Sequence, residues 1–288
     1  MKLNILLSNL FNLFLFLALS ARAQDLVSLV RFADSRLDAN DPDEAFSSFN
    51  RAFFFLEVYP ATEITKSYLL HRMGDCHFKT GKFGEAIRYY GLAVKSAGND
   101  TVRNDLVLMK IKLYLLQKDF YFALEELLIM DTPPLPDQRK MKEIFSGIAW
   151  FGLENFDSAG AYFNRLAETD SQKVLLSDLL KRLRKIKHPN PNVAQILSIF
   201  LPGLGQFYAG DLKNGLNSLI ITGGLFALGI NVVLNYSWID AILAVMPWYQ
   251  RYYLGGVQNA GNIARYRLEE KRSRIYKEIM AAVDSKKH

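Results

Sequence analysis

Apolar residues recur at three- and four-residue spacing along residues 26–170. This spacing is that of an amphipathic helix, and no convincing strand-like alternation of apolar and polar positions occurs in the same region. Clusters of turn-forming residues interrupt the pattern at 40–42, 59–60, 80–81, 98–100 and 132–134. Because such clusters end helices, the region is predicted to fold as a series of short helices.

The segment Lys66–Gly98 has the clearest internal pattern, two short helices separated by Gly81. Gly74 and Ala86 are small residues at the positions where the two helices would approach most closely, and Tyr90 would fill the groove between them. The small residue of the second helix recurs as Ala45, Ala86, Ala123 and Ala159, at separations of 41, 37 and 36 residues. The residues predicted to pack between helices are Gly74, Ala86, Tyr90, Ala93, Ala123, Ala159 and Phe163.

This pattern resembles the tetratricopeptide-repeat family over about half of the chain. The resemblance implies an all-α solenoid of about four helical hairpins in residues 24–170, with a concave groove that binds protein segments. The sequence departs from the family pattern at Ala33, Arg36 and Ile111, where glycine or an aromatic residue is usual. A looser solenoid of helical hairpins is therefore the alternative, with the same continuous core and groove.

A basic segment follows the repeats. Its charges are Lys181, Arg182, Arg184, Lys185 and Lys187, and leucines lie between and before them. We expect residues 171–190 to form a helix that caps the last repeat, followed by a linker. The prolines of the sequence His188-Pro-Asn-Pro191 would end that helix and mark a domain boundary.

Two segments after this boundary suit a membrane. Leu216–Leu234 is an apolar run of 19 residues, within the length range of one membrane crossing. Trp238–Val257 is a weaker candidate because Arg251 interrupts it, although its tryptophan and tyrosine rings are typical of the headgroup level. Gly223 and Ala227 form a pair of small residues that would let another helix approach closely, so the hairpin could also join copies of the chain.

A glycine-rich motif precedes the first apolar run. Its residues are Pro202, Gly203, Gly205, Gln206, Tyr208, Gly210 and, slightly later, Gly215. The motif resembles the opening of the transmembrane-two domain family and of a related bacterial module of unknown function, and residues 253–260 resemble the end of that module. The resemblance implies a membrane hairpin in residues 191–260, followed by a basic tail in residues 261–288.

The motif allows two interpretations. Pro202 removes a backbone donor, the glycines allow tight turns, and Gln206 could bond freed backbone groups within the bilayer. We prefer the interpretation that this is a helix break that shapes the hairpin. A substrate or lipid contact within residues 202–210 is the alternative.

Residues 1–23 are predicted to be a signal peptide. Lys2 is followed by the apolar run Ile5–Leu19 and by Ala21-Arg-Ala23, a small-x-small cleavage pattern before Gln24. An uncleaved anchor helix is the alternative. Cleavage would place the repeats outside the cytoplasm, and we expect an inner-membrane protein of bacteria with periplasmic repeats. The basic residues 181–187 would then flank the membrane on its outer side, against the positive-inside tendency.

The net charge of +6 does not indicate a nucleic-acid partner. The basic residues cluster beside apolar segments and lack interleaved aromatic residues, so anionic lipid headgroups are the better match. Cys76 is the single cysteine, which excludes an internal disulfide.

The sequence contains little that suggests an enzyme. His71, Asp75, Cys76 and His77 are neighbours, but they lie on the first helix of the clearest repeat, where structural roles are expected. Asp240 and Arg251 lie near the ends of the apolar segments, where their charges could reach the interface. Phosphate loops, metal-spaced histidines and serine elbows are missing from the sequence, so we expect neither cofactor nor metal.

These observations lead to one hypothesis and one alternative. The hypothesis is a membrane-anchored adaptor of the bacterial cell envelope, whose repeats bind protein partners, with an envelope or membrane-protein biogenesis role. The alternative is a small transport or lipid-handling component that acts through the 191–260 hairpin and would require a role for Gln206, Asp240 or Arg251.

Overall fold

The computed structural model describes residues 25–58, 64–131, 133 and 135–284. The predicted signal peptide lies outside these residues. The described residues fold into helices with no strand among them, so the all-α prediction is confirmed.

The chain divides into two compact units, Met1–Leu166 and Ala167–His288. The helices of the first unit are α1 (residues 25–38), α2 (Pro42–Val58), α3 (Lys66–Lys79), α4 (Phe83–Lys95), α5 (Asp100–Gln117), α6 (Phe120–Ile129), α7 (Pro136–Gly152) and α8 (Phe156–Arg165).

The same turn closes each helical pair of the first unit. Asn40, Gly81, Lys118 and Glu154 take the left-handed conformation, with φ between 60° and 72°. The residue after each donates its N–H to the carbonyl five residues earlier, at 2.8–3.0 Å, as in a Schellman helix end. Each turn lies five residues before one of the alanines 45, 86, 123 and 159. The repeats therefore share backbone geometry as well as sequence spacing.

Complementary side-chain volumes fill the space inside each hairpin. A Cβ at Gly74 would lie 2.5 Å from the Tyr90 ring, and a Cβ at Gly147 would lie 2.5 Å from the Phe163 ring. The third hairpin has Ile111 at the glycine position, and its counterpart of the aromatic ring is the smaller Leu127. Both residues are buried in one core cluster. A large residue on one helix is thus matched by a smaller one on the other, which explains how the pattern tolerates Ile111.

Each helix of the first unit packs against its neighbour in the chain from α2 to α8, and α5 also packs against α7. The first helices of the third and fourth hairpins, α5 and α7, therefore lie side by side. The core is correspondingly a row of clusters: one joins α1, α2 and α3, and another joins α5, α6 and α7. This all-helical, neighbour-packed arrangement is compatible with a helical repeat.

The second unit contains α9 (Asp170–Lys185), α10 (Pro191–Phe200), α11 (Leu204–Tyr208), α12 (Leu212–Asn235), α13 (Trp238–Asp240) and α14 (Met246–Asp284). A π-helical turn at Ala241–Val245 joins α13 to α14 without a break. Pro247 follows that turn. Because proline clashes with the carbonyl four residues earlier in an α-helix, the wider turn accommodates it.

Helix α14 is the spine of the second unit, and α9, α10, α11 and α12 all pack along it. Near its end, the Gln172 side chain donates to the Ala282 carbonyl at 3.4 Å, and Arg182 pairs with Glu278 at 3.1 Å. The sequence interpretation assigned residues 171–190 to a capping helix and linker and residues 261–288 to a basic tail. In the structure, α9 packs against the end of α14 within the second unit.

Gly74→Ala is expected to destabilise the first unit by up to about 2 kcal/mol, because overpacking costs about 1–3 kcal/mol and helix propensity returns about 1 kcal/mol. Tyr90 cannot move aside easily, since its hydroxyl donates to Asp75 at 2.8 Å. Hydrogen exchange of peptides from residues 25–166, followed by mass spectrometry, measures the change. Gly84→Ala is the matched control: no atom lies within 4 Å of its added Cβ, so exchange should slow or stay unchanged. Equal effects of the two substitutions would contradict the close approach.

Candidate functional sites

An open groove of about 600 Å³ runs along one side of the first unit. Helices α3, α5 and α7, the first helices of the second, third and fourth hairpins, line it. The lining is predominantly apolar and includes Tyr68, Leu106, Met109, Met141 and Phe145. Tyr68, Met109 and Met141 are each more than a third exposed, so apolar surface is available to a partner.

Two buried polar atoms of the groove form no hydrogen bond within the described part of the chain, Nε2 of His71 and Oε1 of Gln138. The His71 Nε2 nevertheless lies 3.5 Å from Asp75 Oδ1, whereas the Gln138 Oε1 has no polar neighbour of this kind. The Gln138 amide nitrogen is occupied, since it donates to the Thr101 carbonyl at 2.9 Å and to Asp105 at 2.7 Å. Burial lowers the pKa of His71, so its ring is neutral at pH 7. A ligand that supplies hydrogen bonds to these atoms would remove the cost of leaving them unsatisfied.

The polar cluster around Asp75 has internal partners. Asp75 accepts hydrogen bonds from Arg72 at 2.9 Å and from Tyr90 at 2.8 Å. Arg72 also donates to Asp34 at 2.7 Å. His77 stacks on Tyr89, with ring centroids 5.1 Å apart. These contacts link α1, α3 and α4, and they give the cluster a structural role.

The described residues contain no group of histidine, cysteine and acidic side chains that could hold a metal ion. Cys76 lies in the core, 2% exposed, and burial raises the pKa of its thiol to about 12. Such a thiol is neutral near pH 7 and is a poor nucleophile.

The glycine motif of the second unit is a point where three helices meet. Gly203 has φ +93°, and a Cβ there would lie 2.3 Å from the Gly215 carbonyl oxygen of α12. At Gly205 a Cβ would lie only 1.9 Å from the Ala194 carbonyl oxygen of α10. Gly215 leaves room for the Phe207 ring, 2.5 Å from its added Cβ. Glycine is therefore required sterically at these three positions, whereas Gly210 needs it for its φ of +82° alone.

Gln206 ties the motif to α14. Its side chain is fully buried, accepts a hydrogen bond from the Ser198 hydroxyl at 3.1 Å and donates to the Gly256 carbonyl at 2.8 Å. Ser198 in turn accepts from the Gly205 N–H at 3.0 Å. These bonds satisfy a buried amide and backbone group in an apolar surrounding.

Tyr208 ties the motif to the segment before α10. Its hydroxyl accepts from the Asn190 N–H at 3.1 Å and lies 2.9 Å from Nδ1 of His188. Pro202 is half-buried in the turn between α10 and α11. The seven motif residues therefore surround one junction of helices, at the break between α10 and α11.

Several residues of these sites were not singled out from the sequence. Ser198 and Gly256 complete the bonds of Gln206, and Gln138 supplies one unpartnered atom of the groove. Ser198 had a recognisable signal, because it is an isolated hydroxyl in the apolar helix α10 and such groups usually bond a neighbour. Gly223 and Ala227, the small pair of α12, lie exposed on the helix surface, where a second helix could approach.

Gly205→Ala is expected to disrupt the second unit by about 3 kcal/mol or more, because the clash involves a backbone oxygen that cannot rotate away. Thermal unfolding of the detergent-solubilised protein, followed by helical circular dichroism, measures the loss. In Gly224→Ala the added Cβ meets no atom within 4 Å, so this variant should unfold within a few degrees of the wild type. A Gly205→Ala protein as stable as that control would disprove the proposed junction.

Cys76 is expected to resist iodoacetamide in the folded protein at pH 8. With a pKa of about 12 the thiolate fraction at that pH is only about 10⁻⁴, and the thiol is also buried. Intact mass should show one adduct only after denaturation. Rapid labelling of the native protein would contradict the structural role of Cys76.

No protein-family model matches the chain, and neither a curated protein nor a solved structure matches it. The resemblances to the tetratricopeptide-repeat and transmembrane-two families therefore remain predictions.

Proposed function

We propose that this protein is a membrane-anchored adaptor of the bacterial cell envelope. Its tetratricopeptide-like solenoid would bind a segment of a partner protein, and its C-terminal hairpin would attach that solenoid to a bilayer. The observation that carries the proposal is the groove along α3, α5 and α7, which combines exposed apolar side chains with unpartnered polar atoms at its base.

The groove suits a peptide segment in its chemistry. Met109 and Met141 are flexible apolar side chains, which adapt well to different partner surfaces. Gln138 leaves a buried carbonyl oxygen without a hydrogen-bond partner in the described chain, and the N–H groups of a peptide are donors for such an oxygen. Grooves formed by the inner helices of helical repeats commonly bind extended or helical segments in this way.

The anchor is supported by α12. Among the described residues, this is the one helix long and apolar enough to cross a membrane. The core helix of a soluble protein can be equally long and apolar, but it is mostly buried. In the most apolar stretch of α12, only 6% of the residues are buried. Ile220, Phe226 and Leu234 are 61%, 58% and 78% exposed. Such an apolar surface is costly in water and is matched by lipid chains.

The second half of the hairpin is formed by the π-helical turn and the start of α14. Trp238, Trp248 and Tyr252 are exposed there, and Trp238, at the tip of the hairpin, is at a position suited to the membrane–water interface. We propose export through the predicted signal peptide, and hence periplasmic repeats on the inner membrane. The proposed role in envelope or membrane-protein biogenesis rests on the resemblance of the glycine motif to bacterial membrane modules.

The double substitution Met109→Glu/Met141→Glu is expected to abolish partner capture by the full-length, C-terminally tagged protein after crosslinking in native membranes. The substitution would remove the apolar contact of the two methionines with the partner. The two carboxylates that replace them would also have to lose their hydration on binding. Quantitative mass spectrometry should show a loss of roughly tenfold or more in the main partner, since each buried apolar side chain contributes about 1.5–3 kcal/mol. Ile129→Glu is the matched control, because Ile129 is 74% exposed on α6 and lies outside the groove.

The outcome that would contradict the adaptor is equal capture by the double variant and the wild type, with both proteins retaining their helical spectra. Sequencing the N-terminus of the recovered protein tests export in the same sample. A start at Gln24 supports cleavage, whereas an intact Met1 would contradict it. Extraction with alkaline carbonate tests the anchor, and release of the wild-type protein would contradict membrane insertion.

A further inference from the structure

An open cavity of about 290 Å³ lies between α12 and α14, next to Gln206 of the glycine motif. Most of its lining surface is apolar, but it also contains polar side chains: Asn217, Ser218 and Thr222 from α12, and Arg251, Tyr252 and Asn259 from α14. Hydroxyl and amide side chains on the facing sides of membrane helices usually form hydrogen bonds across the helices. The Thr222 hydroxyl forms no such bond with a described residue, so the cavity requires a chemical explanation beyond packing.

The lining provides hydrogen-bond donors and one positive charge. Arg251 is its single charged residue, and no carboxylate lines it. The Thr222 hydroxyl is buried, with the residue 1% exposed, and it has no partner within the described chain. The side chains of Arg251, Asn217 and Asn259 are exposed and form no hydrogen bond or ion pair with other described residues. Asn214, at one end, is already engaged, since its amide donates to Asp211 at 2.7 Å.

This combination of hydrogen-bond donors and one positive charge favours the binding of an anion. An arginine presents a planar fork of donors that matches two oxygens of a phosphate, and hydroxyl and amide donors can bond the remaining oxygens. Without such a partner, the buried Thr222 hydroxyl would remain unsatisfied, and the exposed Arg251 guanidinium would face the proposed membrane without a counter-charge. Free phosphate and a lipid headgroup share this chemistry, so the position of the cavity must distinguish them.

The position favours a lipid. Thr222 and Arg251 are each 13 residues from the tip of the hairpin, at Asn235 and Trp238, which corresponds to about 20 Å along each helix. A hydrocarbon core is about 30 Å thick, so the guanidinium can extend from this depth toward the headgroups nearer the glycine motif. Ile221 also lines the cavity, and Ile220 beside it is 61% exposed to the surroundings of α12. Acyl chains could therefore lie on α12 while the phosphate enters the cavity.

We propose that the cavity between α12 and α14 binds the phosphate group of a membrane phospholipid, with Arg251 as its charged partner and Thr222 as a buried donor. The inference rests on the membrane anchor of the proposed function but is independent of the repeat groove. The bound lipid would fill the space between the two helices and hold the hairpin at a defined depth in the bilayer.

The test uses the full-length protein, purified in mild detergent from native membranes, with the retained phospholipid quantified by mass spectrometry. Arg251→Gln should lower retention by roughly tenfold or more, the loss expected when a charge-assisted hydrogen-bonded pair is removed. Thr222→Val should lower it several-fold, and Arg251→Lys should retain an intermediate amount because lysine keeps the charge without the fork. Arg265→Gln is the matched control, since Arg265 is an exposed arginine of α14 outside the cavity.

Equal phospholipid retention by the wild type, Arg251→Gln and Arg265→Gln would overturn the proposal. A second arm adds inorganic phosphate to delipidated protein. Thermal stabilisation by phosphate that depends on Arg251, with no lipid retained by the wild type, would overturn the lipid source and assign the cavity to a soluble anion. Carbonate extraction of the same variants separates the two hypotheses: a wild type that stays in the membrane but retains no lipid refutes this site while leaving the anchor intact.

Discussion

Close approach of helices at positions without a side chain is the constraint on which both units depend. In the first unit, Gly74 and Gly147 leave room for the rings of Tyr90 and Phe163. In the second, Gly205 lets α11 approach the backbone of α10 more closely than any Cβ would permit. The helices can therefore pack at short distance, and this spacing determines which other groups come into contact.

In the repeat unit, this close packing determines where the groove lies. Four Schellman turns at equivalent positions return the chain with the same geometry, so each hairpin presents its first helix on the same side of its neighbour. Helices α3, α5 and α7 then line one surface, and that surface holds both apolar side chains and unpartnered polar atoms. A groove for a protein segment is thus a consequence of stacking hairpins of similar geometry. The chemistry of that groove depends on the individual residues that line it.

In the second unit, the glycine junction determines how the apolar helix is presented. Gln206 bonds both Ser198 and the Gly256 carbonyl, so α10, α11 and α14 are fixed relative to one another around a buried amide. Helix α12 packs on α14 along one side and exposes the rest of its apolar surface. The cavity with Arg251 and Thr222 lies between α12 and α14, next to the junction. One set of contacts therefore supports both the proposed anchor and the proposed lipid site.

The sequence by itself determined the helical class, the period of the repeats and the apolar span of α12. These properties are local, because each can be read within a few tens of residues. They are the helix periodicity, the small residue that recurs in each second helix, and a run of apolar residues. Only the tertiary structure decided that α9 joins the end of α14, that Gln206 bonds Gly256 50 residues away, and that Thr222 faces the same cavity as Arg251. Such contacts depend on how whole helices pack, and packing is set by side-chain volumes and buried polar groups distant in the chain, which leave no periodic signal in it.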